Sequence, residues 1–197
     1  MPRIVDRTAR RAELAAVAAA VFGEKGVANT SVSDIVKAGG VAQGTFYLYF
    51  ASKDEIILAV VELMADGMVT AIEGSLNVPG SSAVERLYAL RDVLSGFEND
   101  PSAVELADFI HRPENRALHD RLTEHFAPAL APLVESIVAQ GVAEGVFDVT
   151  DVRAAAWFVM AGLQSAELAG TPAAEMPAAI NTATTLALRA LGYEESR

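Results

Sequence analysis

The run TSVSDIVKAGGVAQGTFYLYFASKDE, residues 30–55, decides how this chain folds. Thr30 or Ser31 stands ahead of Val32, Ile35 and Val36, which is the pattern of a capping side chain followed by an inward-facing helical stripe. Gly39-Gly40 stops that helix, because glycine takes the backbone angles of such a terminus without a Cβ clash. A second short helix is expected from about Ala42 to Leu48. Ser52 and Glu55 then form a capping box for a longer one. Four rings crowd into five positions of this run, Phe46, Tyr47, Tyr49 and Phe50, in a chain that holds 8 Phe, 4 Tyr and 1 Trp. Phe46 and Phe50 are four apart, share one helical face with Val41, and are expected in the core. Tyr47 and Tyr49 face elsewhere and keep their hydroxyls for a partner.

Helical periodicity continues on both sides of this run. Upstream, a helix is expected from Asp6 or Thr8 to just before Gly26, with Leu14, Val17, Ala18, Val21 and Phe22 as its buried stripe. Arg10-Arg11 followed by LAAVAAAVFG, residues 14–23, also resembles the basic and apolar parts of a secretory signal. Glu13 interrupts that pattern, and the helical spacing favours an ordinary amphipathic helix.

Downstream, the helix from Ser52 to about residue 73 carries Ile56, Ile57, Val60, Leu63, Met64 and Met68. GSLNVPGS, residues 74–81, is a loop of linker composition. Capping boxes at Ser82/Glu85 and Ser102/Glu105 open helices near 82–98 and 102–111. After Pro113 a long stripe runs from Leu118 through Leu122, Phe126, Leu130, Val134 and Ile137 to about Glu144, with a kink or break expected at Pro128 and Pro132. Asp148 or Thr150 opens a helix to about Ala169, and Pro172 precedes a last one to about Leu191. The expected fold is all-α, with about nine helices, an N-terminal three-helix domain over 1–53 and a helical domain over 54–197. The helix from 52 to about 73 connects the two.

The 197 residues include no cysteine, which excludes disulfides, thiolate metal sites and cysteine nucleophiles and fits a cytoplasmic location. No uninterrupted apolar run approaches the roughly 18 residues of a membrane span. The net charge of −11 is unevenly spread. Residues 1–53 hold Arg3, Arg7, Arg10, Arg11, Lys25, Lys37 and Lys53 against Asp6, Glu13, Glu24 and Asp34, a balance of +3. The remaining 144 residues carry 8 basic and 22 acidic side chains, a balance of −14. A basic head on an acidic body is suited to a polyanion met by the head alone.

Two short helices joined by a tight glycine turn read as a helix-turn-helix, whose second helix can enter a DNA major groove. The succession of VFGEKG, TSVSDIVKAGGV, GTFYLYF and SKDE between Val21 and Glu55 resembles the N-terminal domain of the TetR family of bacterial transcriptional regulators. HRPENRALHDRL (111–122) and GVAEGVF (141–147) are similar to segments of its ligand-binding domains.

The resemblance implies a DNA-binding surface made from the matching positions. Gln43 offers an amide to adenine and Thr45 a hydroxyl or methyl to a base edge, while Gly44 lets the backbone come close. Tyr47, Tyr49 and Lys53 match phosphate-contacting positions, and Thr30, Ser31 and Ser33 stand at the front of the preceding helix. Arg3 and Arg7 form an arm suited to the minor groove. Ala42 departs from the family, standing where many relatives have a capping serine, and Tyr49 stands where histidine is frequent.

For the acidic body the resemblance implies a homodimer with a pocket for a small-molecule effector. The helix 151–170 is apolar nearly all round and the last helix is alanine-rich, so these two are expected at the dimer interface. Candidate pocket residues are Met64, Phe97, Phe109, Phe126, Trp157, Met160 and Gln164. His111, His119 and His125 raise a metal-binding alternative, although a spacing of eight between the first two suits one straight helix poorly. No nucleophile, base and orienter set is recognisable, and no catalytic residue or cofactor is expected. The expected function is a dimeric transcriptional repressor of a palindromic double-stranded DNA operator, released by a small, mostly apolar ligand, with no membrane partner. A DNA-binding protein without effector and a helical metal sensor or enzyme are the alternatives.

Overall fold

The computed structural model describes residues 7–96, 101–110, 112–172 and 175–194, with the backbone alone at 101–103, 107, 167 and 168. Arg3, Phe97 and His111 lie outside these residues, as does the side chain of Ser102. Among the described residues the secondary structure is helical throughout. The helices are α1 (Arg7–Lys25), α2 (Val32–Ala38), α3 (Gln43–Tyr47), α4 (Lys53–Leu76), α5 (Ala83–Gly96), α6 (Pro101–Ile110), a 3₁₀ turn (Pro113–Asn115), α7 (Arg116–Ala143), α8 (Val152–Leu168) and α9 (Met176–Ala190).

The chain forms two compact units, residues 1–67 with 99–125, and residues 68–98 with 126–197. This partition differs from a division at residue 53. The first unit takes in a later segment because α6 packs against α1 and sends Leu106 and Ile110 into the N-terminal core. That core contains Leu14, Ala18 and Phe22 of α1, Ile35 and Val36 of α2, Phe46, Phe50, and Ile56, Ile57 and Val60 of α4. Phe46 and Phe50 are at most 1% exposed, with ring centroids 5.6 Å apart.

Local signals account for most helix ends. Gly26 has φ +79° and terminates α1, where an added Cβ would also lie 2.9 Å from a carboxylate oxygen of Glu105. Ser31, rather than Thr30, caps α2 in a complete capping box with Asp34. Ser82 and Glu85 form the same reciprocal pair before α5. At the start of α4 the pair is incomplete, because Glu55 accepts from the Ala51 amide instead of that of Ser52.

In the second unit α8 packs on α9 and α5 on α9. Leu87, Leu90, Val134, Ile137, Val138, Val159, Met160, Ala187 and Leu188 belong to its core. α7 is continuous through Pro128 and Pro132, so of the kink or break expected there, no break occurs. Both prolines are exposed, which leaves the carbonyls that lose their amide partners on the solvent side. The segment Pro113–Ala143 is long and apolar enough to cross a membrane by length and composition alone. Its later part, from residue 126, packs Leu130, Val134, Ile137 and Val138 into the core of the second unit, as core helices of the same composition do. Its end is set by Gly145 at φ +72°, while Gly141 in the last turn makes room for the Phe147 ring, which a Cβ there would overlap. Asp151, not Asp148 or Thr150, supplies the side-chain cap of α8 through the Ala154 amide.

Candidate nucleic-acid interface

α3 has five residues and no side-chain cap, since Ala42 stands at its N-cap. Too short to persist alone, it is fixed by tertiary packing of Phe46 beneath it and by its contact with α2. The turn between α2 and α3 passes through Gly40 at φ +60°. Held on this hydrophobic underside, α3 presents Gln43, Gly44, Tyr47 and Leu48 outward, all of them exposed, with Thr45 half-buried. Space around Gly44 is open, so its bare backbone is accessible.

The surrounding polar groups divide into those already engaged and those available. Arg7 donates to the Leu48 carbonyl at 3.0 Å and so ties the start of α1 to the end of α3. Arg11 lies 4.6 Å over the Phe50 ring and 3.5 Å from Glu55. Lys53 donates to the Val27 carbonyl at 2.6 Å and lies 3.4 Å from that of Ala28, so its ammonium closes the loop after α1. These bonds leave it less free for a phosphate than the sequence suggests. Tyr49 is half-buried against the N-terminal core, whereas Tyr47 is 52% exposed.

The front of α2 also differs from expectation. Thr30 is buried and its hydroxyl donates to the Gly26 carbonyl at 2.8 Å, which removes it as a phosphate donor. Ser31 donates to Asp34 at 2.5 Å, and Asp34 pairs with Lys25 at 2.5 Å. The Lys25 ammonium, followed by the Ser31 bonds, holds the Asp34 carboxyl well below the usual carboxylate range. The terminus therefore carries its own anion and is a poor seat for another one. Ser33 remains exposed.

In the sequence, Lys37 stands out only through its contribution to net charge. It is exposed in the last turn of α2 and, among the described residues, makes no ion pair. Leu48 stands in the sequence only as the end of a helix, and at 68% it is the most exposed large hydrophobic side chain among the described residues. Both are legible as surface positions only once the faces of α2 and α3 are assigned.

The expected pocket residues are spread over both units. Met64 and Phe109 border the core of the first unit, whereas Phe126 and Met160 belong to that of the second, with Gln164 half-buried on α8. Trp157 is 45% exposed and Phe158 62%. Among the described residues no three His, Asp or Glu side chains converge as metal ligands. His119 faces Asp120 at 3.7 Å and His125 pairs with Asp66 at 2.8 Å.

Comparison with known proteins assigns the same segment. Residues 14–60 match the family described as bacterial regulatory proteins, tetR family. The chain is 49% identical over 57 residues to the uncharacterized HTH-type transcriptional regulator YvdT of Bacillus subtilis, covering 29% of each protein. It is 45% identical over 58 residues to the HTH-type transcriptional repressor KstR2 of Mycobacterium tuberculosis, again 29% of each. These alignments span less than a third of either relative. The crystal structure of the transcriptional regulator FadR from Bacillus subtilis in complex with stearoyl-CoA superposes with a TM-score of 0.66 at 21% identity, over 89% of this chain and 96% of that one. The whole helical fold, beyond the N-terminal segment, is thus shared.

Proposed function

We propose that this chain, which belongs through residues 14–60 to the tetR family of bacterial regulatory proteins, is a cytoplasmic transcriptional repressor that binds a palindromic operator as a homodimer and is released by a small, mostly apolar effector. The observation that carries the reading is the α3 surface: Gln43, Gly44 and Tyr47 exposed together on a short helix, within a segment whose charge balance is positive in an otherwise acidic chain. Gln43 reads an adenine edge, Gly44 admits close approach, and Tyr47 and Lys37 hold phosphates on either side. Ser33 and Tyr49 are secondary phosphate donors. Lys53 and Arg7 act mainly by fixing the loop and the helix end that orient α3.

Dimerisation is assigned to the outer faces of α8 and α9. Trp157 and Phe158 on α8 and Leu186 on α9 are exposed, and the two helices already pack on each other, so a two-fold copy would complete a four-helix arrangement. Such a dimer spaces its two α3 helices for successive half-sites, about 34 Å apart or a workable equivalent. An effector that favours another spacing weakens DNA binding by linkage. We place its site in the second unit, near Phe126 and Met160, with Gln164 as a polar group. FadR, which shares the fold, is seen with stearoyl-CoA, and this favours testing acyl compounds first.

The deciding experiment is selection from a random duplex DNA pool with the wild type and a Gln43→Ala, Tyr47→Phe double variant. Enrichment of a palindrome by the wild type alone is expected. Absence of enrichment at low salt, where phosphate attraction is strongest, overturns the reading.

A further inference from the structure

Leu48 directly follows α3, and its backbone remains helical, with φ −73° and ψ −23°. Its amide donates to the Thr45 carbonyl at 3.2 Å, so Leu48 closes a tight final turn beside Thr45. No heavy atom comes within 4 Å of a Cβ placed on Gly44. The surface of α3 and its final turn thus combines an open Gly44 with Leu48, 68% exposed and with its carbonyl fixed by Arg7. Isolated exposed leucines are ordinary. This one stands among the groups assigned to base reading, on the surface that must lose its water if α3 enters a major groove.

A major groove presents one apolar feature, the C5 methyl of thymine. We propose that Leu48 is a specificity-determining residue that packs on a thymine methyl in each operator half-site, with Gly44 providing the clearance. This rests on the DNA-binding reading above. It adds a hydrophobic element of base selection that neither Gln43 nor the phosphate donors supply.

The test is a cycle between a side chain and a methyl group. In the operator obtained by selection, each thymine is replaced in turn by uracil, which removes only the C5 methyl, and binding of the wild type and Leu48→Ala is measured. At one thymine per half-site, uracil is expected to weaken the wild type about fourfold, the value of one buried methyl-sized group. Leu48→Ala is expected to weaken binding to the intact operator at least as much, and to show no further loss from uracil at that position. Its salt dependence should equal that of the wild type, because no phosphate contact is lost. Leu48→Met should recover part of the affinity. Leu48 is solvent-facing, so the variant should melt with the wild type, and this is checked alongside. Independent, additive losses at every thymine, or undiminished affinity of Leu48→Ala, overturn the assignment while leaving DNA recognition intact. Failure of the wild type to select any sequence overturns both.

Discussion

Tyr47 and Phe158 are exposed to similar extents, 52% and 62%, yet the two rings call for different partners. Tyr47 carries a hydroxyl and stands in the segment 1–53, where basic residues exceed acidic ones. Phe158 has no polar atom, stands beside Trp157 in the acidic part of the chain, and offers nothing to a phosphate. An amphipathic ring at a positive surface suits a wet, polyanionic interface. A pair of apolar rings on a helix suits another apolar face, and burying them is favourable in rough proportion to area. Exposure alone therefore does not classify a ring. Its polar atoms and the charge around it do.

The largest effect should appear behind Tyr47, at the ring that faces inward. Phe46→Ala removes a side chain with no exposed surface and is expected to cost about 3–5 kcal/mol in urea unfolding. Tyr47→Ala, one position along, should cost under about 1 kcal/mol, as exposed sites do. A small loss at Phe46 would break the division of the four rings into core and surface. Next comes Phe158→Glu combined with Leu186→Glu. Charges introduced twice into a symmetric apolar contact should weaken dimerisation by at least about a hundredfold, seen by sedimentation, since uncompensated buried charge costs about 3 kcal/mol or more. If the variant remains dimeric, the outer faces of α8 and α9 are not the interface.

A smaller change is expected at the phosphate contacts. Lys37→Ala should reduce the slope of log affinity against log salt by about 0.9 per phosphate lost in each half-site, and Tyr47→Phe should weaken binding by about threefold to tenfold. An unchanged slope for Lys37→Ala would remove it from the interface. The smallest effect belongs to Asp34. Its folded pKa is depressed by Lys25 and Ser31, so its contribution to stability is present above the unfolded carboxylate value and is lost as pH falls through the lower folded one. The stability gap between wild type and Asp34→Asn should be widest near about pH 6 and should narrow on acidification below about pH 4. A gap that widens in acid would contradict the pairing.

Much of the N-terminal segment was legible because its instructions are short-range. The Ser31 and Asp34 cap, the stop at Gly26, the turn at Gly40 and the i, i+4 pair Phe46 and Phe50 depend on residues within a few positions of one another. Sterics and local hydrogen bonds fix such features whatever the rest of the chain does. The capping box at Ser82 and the helical spacing of the second core were readable for the same reason.

Other features required the assembled fold. Spacing shows that α6 has an apolar stripe, but not that Leu106 and Ile110 enter the N-terminal core rather than the other one. Lys53 looks like a free cation until the carbonyls of Val27 and Ala28, 26 and 25 residues away, are brought to its ammonium. Thr30 looks like a surface hydroxyl until it is buried over Gly26. Pro128 and Pro132 look like breaks until both are seen to face outward from a helix packed along its other side. By itself, the sequence determined the helices, the caps at Ser31 and Ser82 and the helix-turn-helix, because those follow from local backbone energetics. Only the tertiary structure decided which stripe met which core and which polar groups remained free, because those depend on long-range competition for the same buried surface.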